Sequence, residues 1–302
     1  MPPHATAQQI GPRSHQCDAT ATRATDDGGR AYVLLDGIGS SDTVRAWTRA
    51  QARRLADLTA RSLQPHEAIT QVQEEITAQP GWQASAPGAC AVAAVTGPDQ
   101  LLRVAWIGDC RAYLLSPDGR LQRLTADHNQ RAQFEAAGFP SPRWARNIVT
   151  RCLGHGAAGE ALTPDWTAVH DRSGSRLLLA SDGCYEPIED AAHNLAAALG
   201  GGDPADRAEH LVRLALRLGG TDNATCMVVD FPPAGAPAAS TSRVHCAHGS
   251  VLMQDGCPGC DAAEETPHPA DPVRVHPVWA RRALTRCRTC GQPPGRRIHR
   301  AA

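Results

Sequence analysis

The sequence predicts an α+β chain built on antiparallel sheets. Three observations carry that expectation. The strand candidates are short, apolar and rich in branched residues. One pair of them is joined by Ser116–Gly119, "SPDG", a tight turn that returns the chain antiparallel. Helix patterns come mainly after the first strands and before the last, with a block of strands between, rather than in regular βαβ alternation.

In chain order, the first strand candidate is AYVLL from Ala31, which runs into Asp36-Gly37. Helices are expected over Thr43–Ser62 and Pro65–Ala78. CAVAAV from Cys90, LLRVAWIG from Leu101 and AYLL from Ala112 read as strands, the last turning through SPDG into RLQRLT. A short helix is expected over His128–Ala137 and a strand at RLLLAS from Arg176. Asp203 before Pro204 opens a helix to Leu218. In that helix Ala208, Leu211, Val212, Ala215, Leu216 and Leu218 form the apolar stripe, opposite Arg207, Glu209, Arg213 and Arg217. CMVVDF from Cys226 is the last strand of this region. No internal repeat is visible.

Composition narrows the function classes. The chain has 302 residues and a formal net charge of −1, which gives no general attraction to nucleic acid or membranes. Every basic residue is arginine, since lysine is absent. No apolar run reaches the roughly 18 residues of a membrane span, and the N-terminal stretch lacks a signal-peptide core, so a cytoplasmic protein without a membrane partner is expected. Of eleven cysteines, six are scattered singly and read as buried free thiols. Domain boundaries are expected at 1–231, a Pro-, Ala- and Ser-rich linker over 232–243, and a Cys-rich module over 244–302.

The chemistry concentrates in acids beside small residues at strand ends. Asp36 lies in DGIG, Asp109 in WIGDCRAYLL, Asp182 in SDGCYE, Asp222 in GGTDNATCMVV and Asp18 in RSHQCDA. A buried carboxylate is costly, and several together repel one another. Each Asp-Gly alone is an ordinary turn; together they suggest a shared divalent cation. Oxygen-only ligation selects Mg²⁺ or Mn²⁺ over Zn²⁺, and two such ions a few ångströms apart hold a phosphate and activate water.

In one order, the chain carries RSHQCD from Arg13, DGIGS from Asp36, GACAVAAV from Gly88, IGDCRAYLLSPDGRLQRLTADHN from Ile107, RNIVTRCLG from Arg146, LLLASDG from Leu177 and DNATCMVV from Asp222. This series resembles the bacterial branch of the metal-dependent PPM, or type-2C, Ser/Thr protein phosphatases over roughly Gly11–Phe231. The resemblance implies a four-layer αββα sandwich of two antiparallel sheets flanked by helices. It also implies hydrolysis of phosphoserine and phosphothreonine in proteins through a water activated by two Mn²⁺ or Mg²⁺ ions. By position, Asp36 would bridge the ions, and Gly37 would offer its carbonyl. Asp182 and Asp222 would complete one ion's shell, and Asp18 would support the other. Arg13 would grip the phosphate, and Asp109, helped by Glu186, would form a third, weaker metal site. The implied partners are phosphorylated Ser/Thr proteins, among them a cognate kinase or its substrates.

The chain departs from the family pattern in five places. Ser40 follows Gly39 where a second glycine is usual, Cys90 and Cys110 replace Thr and Ser, and Ile38 stands where some members place a histidine as candidate general acid. The segment between LTADHN and RNIVTRCLG, which forms a flap in the family, looks shortened.

The last sixty or so residues hold two CxxC pairs, Cys257 with Cys260 and Cys287 with Cys290. That layout is the one of a structural zinc ribbon, with one Zn²⁺ supplying folding energy to an apolar-poor segment. His245, Cys246 and His248 are left over as substitute ligands. The module's arginines, Arg281 to Arg300, suit protein docking slightly better than nucleic acid, because no clustered aromatics offer base stacking. Two rival functions remain open at this stage: a catalytically dead phosphatase-like scaffold, and a nucleic-acid-associated protein led by its zinc tail.

Overall fold

The computed structural model describes residues 2–233 except 80, 83–85, 100, 156–161 and 171, together with the backbone of two short strands, Val244–His245 and Val251–Leu252. The chain divides into Met1–Pro237 and Ala238–Ala302. Cys257, Cys260, Cys287 and Cys290, expected to hold zinc, lie outside the described residues.

Ten strands form two five-stranded sheets in the first unit. They are β1 (His4–Gln9), β2 (Ala19–Ala24), β3 (Arg30–Ile38), β4 (Gly88–Thr96), β5 (Leu102–Ile107), β6 (Arg111–Leu115), β7 (Leu121–Arg123), β8 (Asp165–Val169), β9 (Arg176–Ala180) and β10 (Ala224–Asp230). One sheet has the order β1-β10-β9-β6-β7 and the other β2-β3-β4-β5-β8, and every pairing is antiparallel. The helices are α1 (Asp42–Ser62), α2 (Pro65–Thr77), α3 (Gln130–Ala136), α4 (Asp182–Asp190), α5 (Leu195–Leu199) and α6 (Pro204–Arg217), with a 3₁₀ turn at Arg143–Asn147.

Strand alternation explains how the layers stack. Side chains of successive strand residues point to opposite faces. Tyr32 and Leu34 of β3, Val92 and Ala94 of β4, Leu177 and Leu179 of β9, and Met227 and Val229 of β10 meet in one buried core between the sheets. Their neighbours Val33, Leu35, Ala91 and Ala93 pack instead on α1 and α2. Leu178, Ala180, Cys226 and Val228 pack on α4, α5 and α6. Central strands covered on both faces are apolar through most of their length, which is why they read as continuous runs. The architecture is therefore α+β, two antiparallel sheets face to face with helices outside each.

Local signals set the helix ends. The Ser41 hydroxyl accepts the Val44 amide at 3.2 Å to cap α1, and the Asp203 carboxylate accepts the amides of Ala205 and Asp206 to start α6 behind Pro204. All six scattered cysteines of this unit are buried and unpaired.

The structure departs from the sequence-based expectation in three informative places. First, β3 does not stop at Asp36. It continues through Ile38, because Asp36, Gly37 and Ile38 pair with Cys90, Ala89 and Gly88 of β4. Second, His128 precedes α3 rather than opening it. Its imidazole is buried, taking the Gly108 amide on Nδ1 at 3.1 Å and meeting Asp165 through Nε2 at 3.2 Å. The N-cap is Asn129, whose side chain accepts the Ala132 amide. Third, β1, β2 and β8 carry no continuous apolar run: each lies at a sheet edge and is largely half-buried, so their sequences are mixed and give little strand signal.

Candidate active site

Sheet register brings the acids together. In one sheet β9 and β10 are neighbours with Ala180 opposite Cys226. Asp182, just after β9, is thereby set against Asp222, just before β10. Gly183 makes this approach possible, since a Cβ there would lie 2.2 Å from the Asn223 carbonyl oxygen. On the other side of β9, Arg111 of β6 faces Ala180, so the loop carrying Asp109 ends beside Asp182. In the second sheet Asp36 faces Cys90. Gly108, at φ +94°, lets the Asp109 loop close over Cys90, whose Sγ would lie 2.4 Å from an added Cβ. Four carboxylates from both sheets thus reach one cleft.

That cleft has a volume of about 1260 Å³ and is lined by Asp36, Asp109, Asp182, Glu186, Asp190 and Asp222 along with Arg13 and Gly37. Asp36 and Asp182 are enclosed by protein yet keep a face open to the cleft, while Asp109 is buried. Asp18 lies beneath the floor, 2% exposed, where the Ser181 hydroxyl donates to its Oδ2 at 3.0 Å.

The electrostatics are those of crowded acids. Burial, and then the charges of Asp18 and Asp182, push the Asp36 carboxyl well above the usual carboxylate range. Burial raises Asp18 to about 7, with Asp182 and Asp222 adding to the rise. Burial followed by Asp182 raises Asp109 to about 7 and Glu186 to about 8. Asp182 is also raised, by burial and by the charge of Asp222.

Two arginines approach the acids. Arg13 Nη2 bonds Asp222 Oδ2 at 2.6 Å across 209 residues of sequence. Arg146 meets Glu186 at 3.3 Å and Asp190 at 2.7 Å. Among the described residues, no three His, Cys, Asp or Glu side chains stand as a group that would hold an ion in their present positions. The donor chemistry nevertheless fits a hard divalent cation. The donors are all oxygen, they sit in a recess, and their raised carboxyl groups are the ones that a positive charge would return to the ionised form.

Several supporting residues escaped sequence reasoning. Asn223 accepts the Cys17 amide on Oδ1 at 2.7 Å and donates Nδ2 to the Ile10 carbonyl at 2.9 Å, which ties the Arg13–Asp18 loop to Asp222. Ser181 also accepts the Thr225 amide. Both stand inside the quoted SDG and DNAT motifs, so the signal was adjacency to a candidate ligand. Arg146 was visible only as the first residue of RNIVTRCLG, and Asp190 carried no comparable signal: their pairing joins that motif to the end of α4. In the same cleft, Cys152 Sγ lies 3.2 Å from His155 Nδ1. Ile38, 42% exposed on the cleft wall, brings no titratable group.

Residues 10–214 match the family model described as Protein phosphatase 2C. This chain belongs to that family. The type-2C chain is 36% identical over 134 residues to the serine/threonine protein phosphatase PstP of Mycobacterium tuberculosis, an alignment covering 43% of it and 25% of PstP. It is 34% identical over 133 residues to protein phosphatase PhpP of Streptococcus pneumoniae, covering 42% of it and 52% of PhpP. The alignments thus span about a quarter to a half of these curated relatives. Among solved structures, the type-2C chain is similar to the PPM Ser-Thr phosphatase MsPP of Mycobacterium smegmatis in complex with cacodylate. The TM-score is 0.63 and the identity 27%, over 76% of this chain and 98% of that one. The catalytic domain of PstP in complex with two manganese ions is similar with a TM-score of 0.61 and 26% identity, over 76% of this chain and 97% of that one.

Proposed function

We propose that this type-2C chain is a metal-dependent phosphatase acting on phosphoserine and phosphothreonine in proteins. The observation that carries the reading is the single cleft in which Asp36, Asp109, Asp182 and Asp222 gather from both sheets beside Arg13. Similarity to PstP, described with two manganese ions, supports Mn²⁺ or Mg²⁺ as the cations. In this reading Asp36 would hold both ions and the Gly37 carbonyl one of them, Asp182 and Asp222 would complete one shell, Asp18 would support the other from below, and Asp109 with Glu186 would form a third, weaker site. When bound, the cations supply Lewis acidity toward phosphate oxygens and toward the attacking water.

The protein's own residues do the rest. Ser181 and Asn223 fix the loops that carry Asp18 and Asp222. The single bond that Arg13 makes to Asp222 leaves its other N–H donors facing the cleft, where a guanidinium suits two phosphate oxygens. The phosphorylated protein, whether a kinase or a kinase substrate, would enter over the 143–151 wall.

Turnover of a small aryl phosphate by the purified protein tests this reading. We expect robust hydrolysis in Mn²⁺ and none in EDTA. Equal rates in both would sink the metal dependence, and none in either would favour the scaffold.

The domain division and the tail belong to the same proposal. Residues 1–231 form the phosphatase domain, 232–243 the linker and 244–302 a module with one Zn²⁺ on Cys257, Cys260, Cys287 and Cys290. Thiolates hold Zn²⁺ while the aspartates hold Mn²⁺ or Mg²⁺. Phe231, 2% exposed, is the last residue of the inter-sheet core. Truncation after Phe231 is therefore expected to leave aryl phosphate turnover within about twofold, as for changes outside a folded core, and to remove one equivalent of zinc by elemental analysis. Equal zinc in both forms would refute the ribbon.

A further inference from the structure

The segment between α3 and Arg151 forms one wall of the cleft, and it is built to meet something. Of the six large apolar side chains left exposed among the described residues, three fall within ten positions here: Phe139, Trp144 and Ile148. A second cavity lies beside the cleft, lined by Arg131, Glu135, Phe139 and Pro140 among others. Arg143, Arg146 and Asp190 line both cavities, so they form the ridge between them.

The charges on these walls are matched with one exception. Arg146 is held by Glu186 and Asp190, Arg131 by Glu135 at 2.8 Å, Arg151 by Asp165 at 3.3 Å and Arg13 by Asp222. Among the described residues of the two cavities, Arg143 alone of the arginines has no acidic partner. It is nevertheless fixed in place. It opens the 3₁₀ turn Arg143–Asn147 behind Pro142, whose Ala145 is fully buried, and Trp144 packs edge-on against Phe134 of α3. The ridge therefore carries one exposed, uncompensated guanidinium flanked by exposed apolar side chains, at the edge of a floor of carboxylates.

We propose that Arg143 is a specificity-determining residue that holds a second anionic group of the substrate, on a residue neighbouring the phosphoserine or phosphothreonine, while Phe139 and Trp144 cover the apolar part of the same segment. The proposal rests on the phosphatase reading and adds the substrate class: phosphoproteins with an acidic or second phosphorylated residue beside the target site. Complementarity carries it. An acidic flank needs a positive charge that is not already paired, and Arg143 on the ridge is free to receive it. A guanidinium serves carboxylate and phosphate alike, so the source of the anion is left to the test.

The test is fluorescence anisotropy on the full-length protein in Mn²⁺, with peptides carrying a non-hydrolysable phosphonate in place of phosphoserine. Their flanks are aspartate, a second phosphonate, alanine or arginine. For an exposed pair we expect the aspartate-flanked peptide to bind about two- to fivefold tighter than the alanine-flanked one. The stronger of the aspartate and phosphonate preferences identifies the source. Arg143→Ala should bring the ratio to one, Arg143→Lys should retain part of it, and Arg143→Glu should shift the preference to the arginine-flanked peptide. Equal binding of acidic and neutral peptides by the wild type would overturn the proposal. So would an acidic preference that survives both Arg143→Ala and Arg143→Glu in variants with unchanged melting temperature. The Kd ratio is read without turnover, so absence of aryl phosphate hydrolysis would sink the phosphatase reading while leaving Arg143 to be decided by binding.

Discussion

Asp182→Asn is expected to lower Mn²⁺-dependent turnover of a small aryl phosphate by about a thousandfold or more, and at the same time to raise the melting temperature of the metal-free protein. The two effects have one cause. Asp182 stands at the start of α4 with its carboxyl deep in the cleft, raised by burial and by Asp222. Asparagine keeps its shape and removes its charge. Losing one ligand charge from a Lewis-acid site worth several kcal/mol, at about 1.4 kcal/mol per factor of ten, gives the expected rate loss. Removing one of several repelling acids stabilises the metal-free fold, by a few degrees for a domain of this size at about 2–4 °C per kcal/mol. Initial rates across a Mn²⁺ titration, with thermal melts in EDTA, measure both. A near wild-type rate at saturating Mn²⁺ would show that Asp182 is no ligand. A lower metal-free melting temperature would show that repulsion does not dominate the cleft.

The second large effect is a pH dependence with an unusual sign. In EDTA, the melting temperature is expected to fall by roughly 5 °C between pH 6.5 and 8.5. Asp18 and Asp109 titrate at about 7 and Glu186 at about 8 in the folded protein, against about 4 in the unfolded chain. Across this window the native state holds protons that the unfolded chain has already lost, so raising the pH removes stability as these groups ionise next to one another. His128 is lowered by burial and acts in the opposite sense, but only below about pH 6.5, its ordinary value, which is why the window begins there. Saturating Mn²⁺ should abolish the slope, because a bound cation keeps these carboxylates ionised in the folded form and so removes its excess of bound protons over the unfolded chain. A flat or rising melting temperature in EDTA would show that the acids are not mutually destabilising. A slope that Mn²⁺ leaves untouched would separate them from any cation site.

The sequence by itself determined the layers. Positions along β3, β4, β9 and β10 are apolar on both faces because both faces are covered, and a continuous branched or small apolar run is the local trace of that double burial. It also marked acids that the fold brings to one cleft, since Asp36, Asp109, Asp182 and Asp222 each stand beside glycine or small residues that leave room for close approach. The start of α6 was legible for a similar reason: Asp203 and Pro204 act within a few residues of themselves. Edge strands were not, because β1, β2 and β8 owe their form to pairing with a neighbour rather than to their own composition.

Only the tertiary structure decided which charges meet. Arg13 could be assigned a phosphate from its motif, but its bond to Asp222 depends on β1 lying beside β10 and on Asn223 tying the two loops together. Asp36 was placed at a strand end, and the strand runs past it because β4 offers partners as far as Gly88. The cleft wall at 143–151 was visible only where RNIVTRCLG begins, and nothing local showed that Arg146 would be neutralised and Arg143 left without an acidic partner. Pairings of that kind join residues far apart in the chain. Their energies depend on register and distance, whereas a sequence pattern reports only the burial period of its own segment.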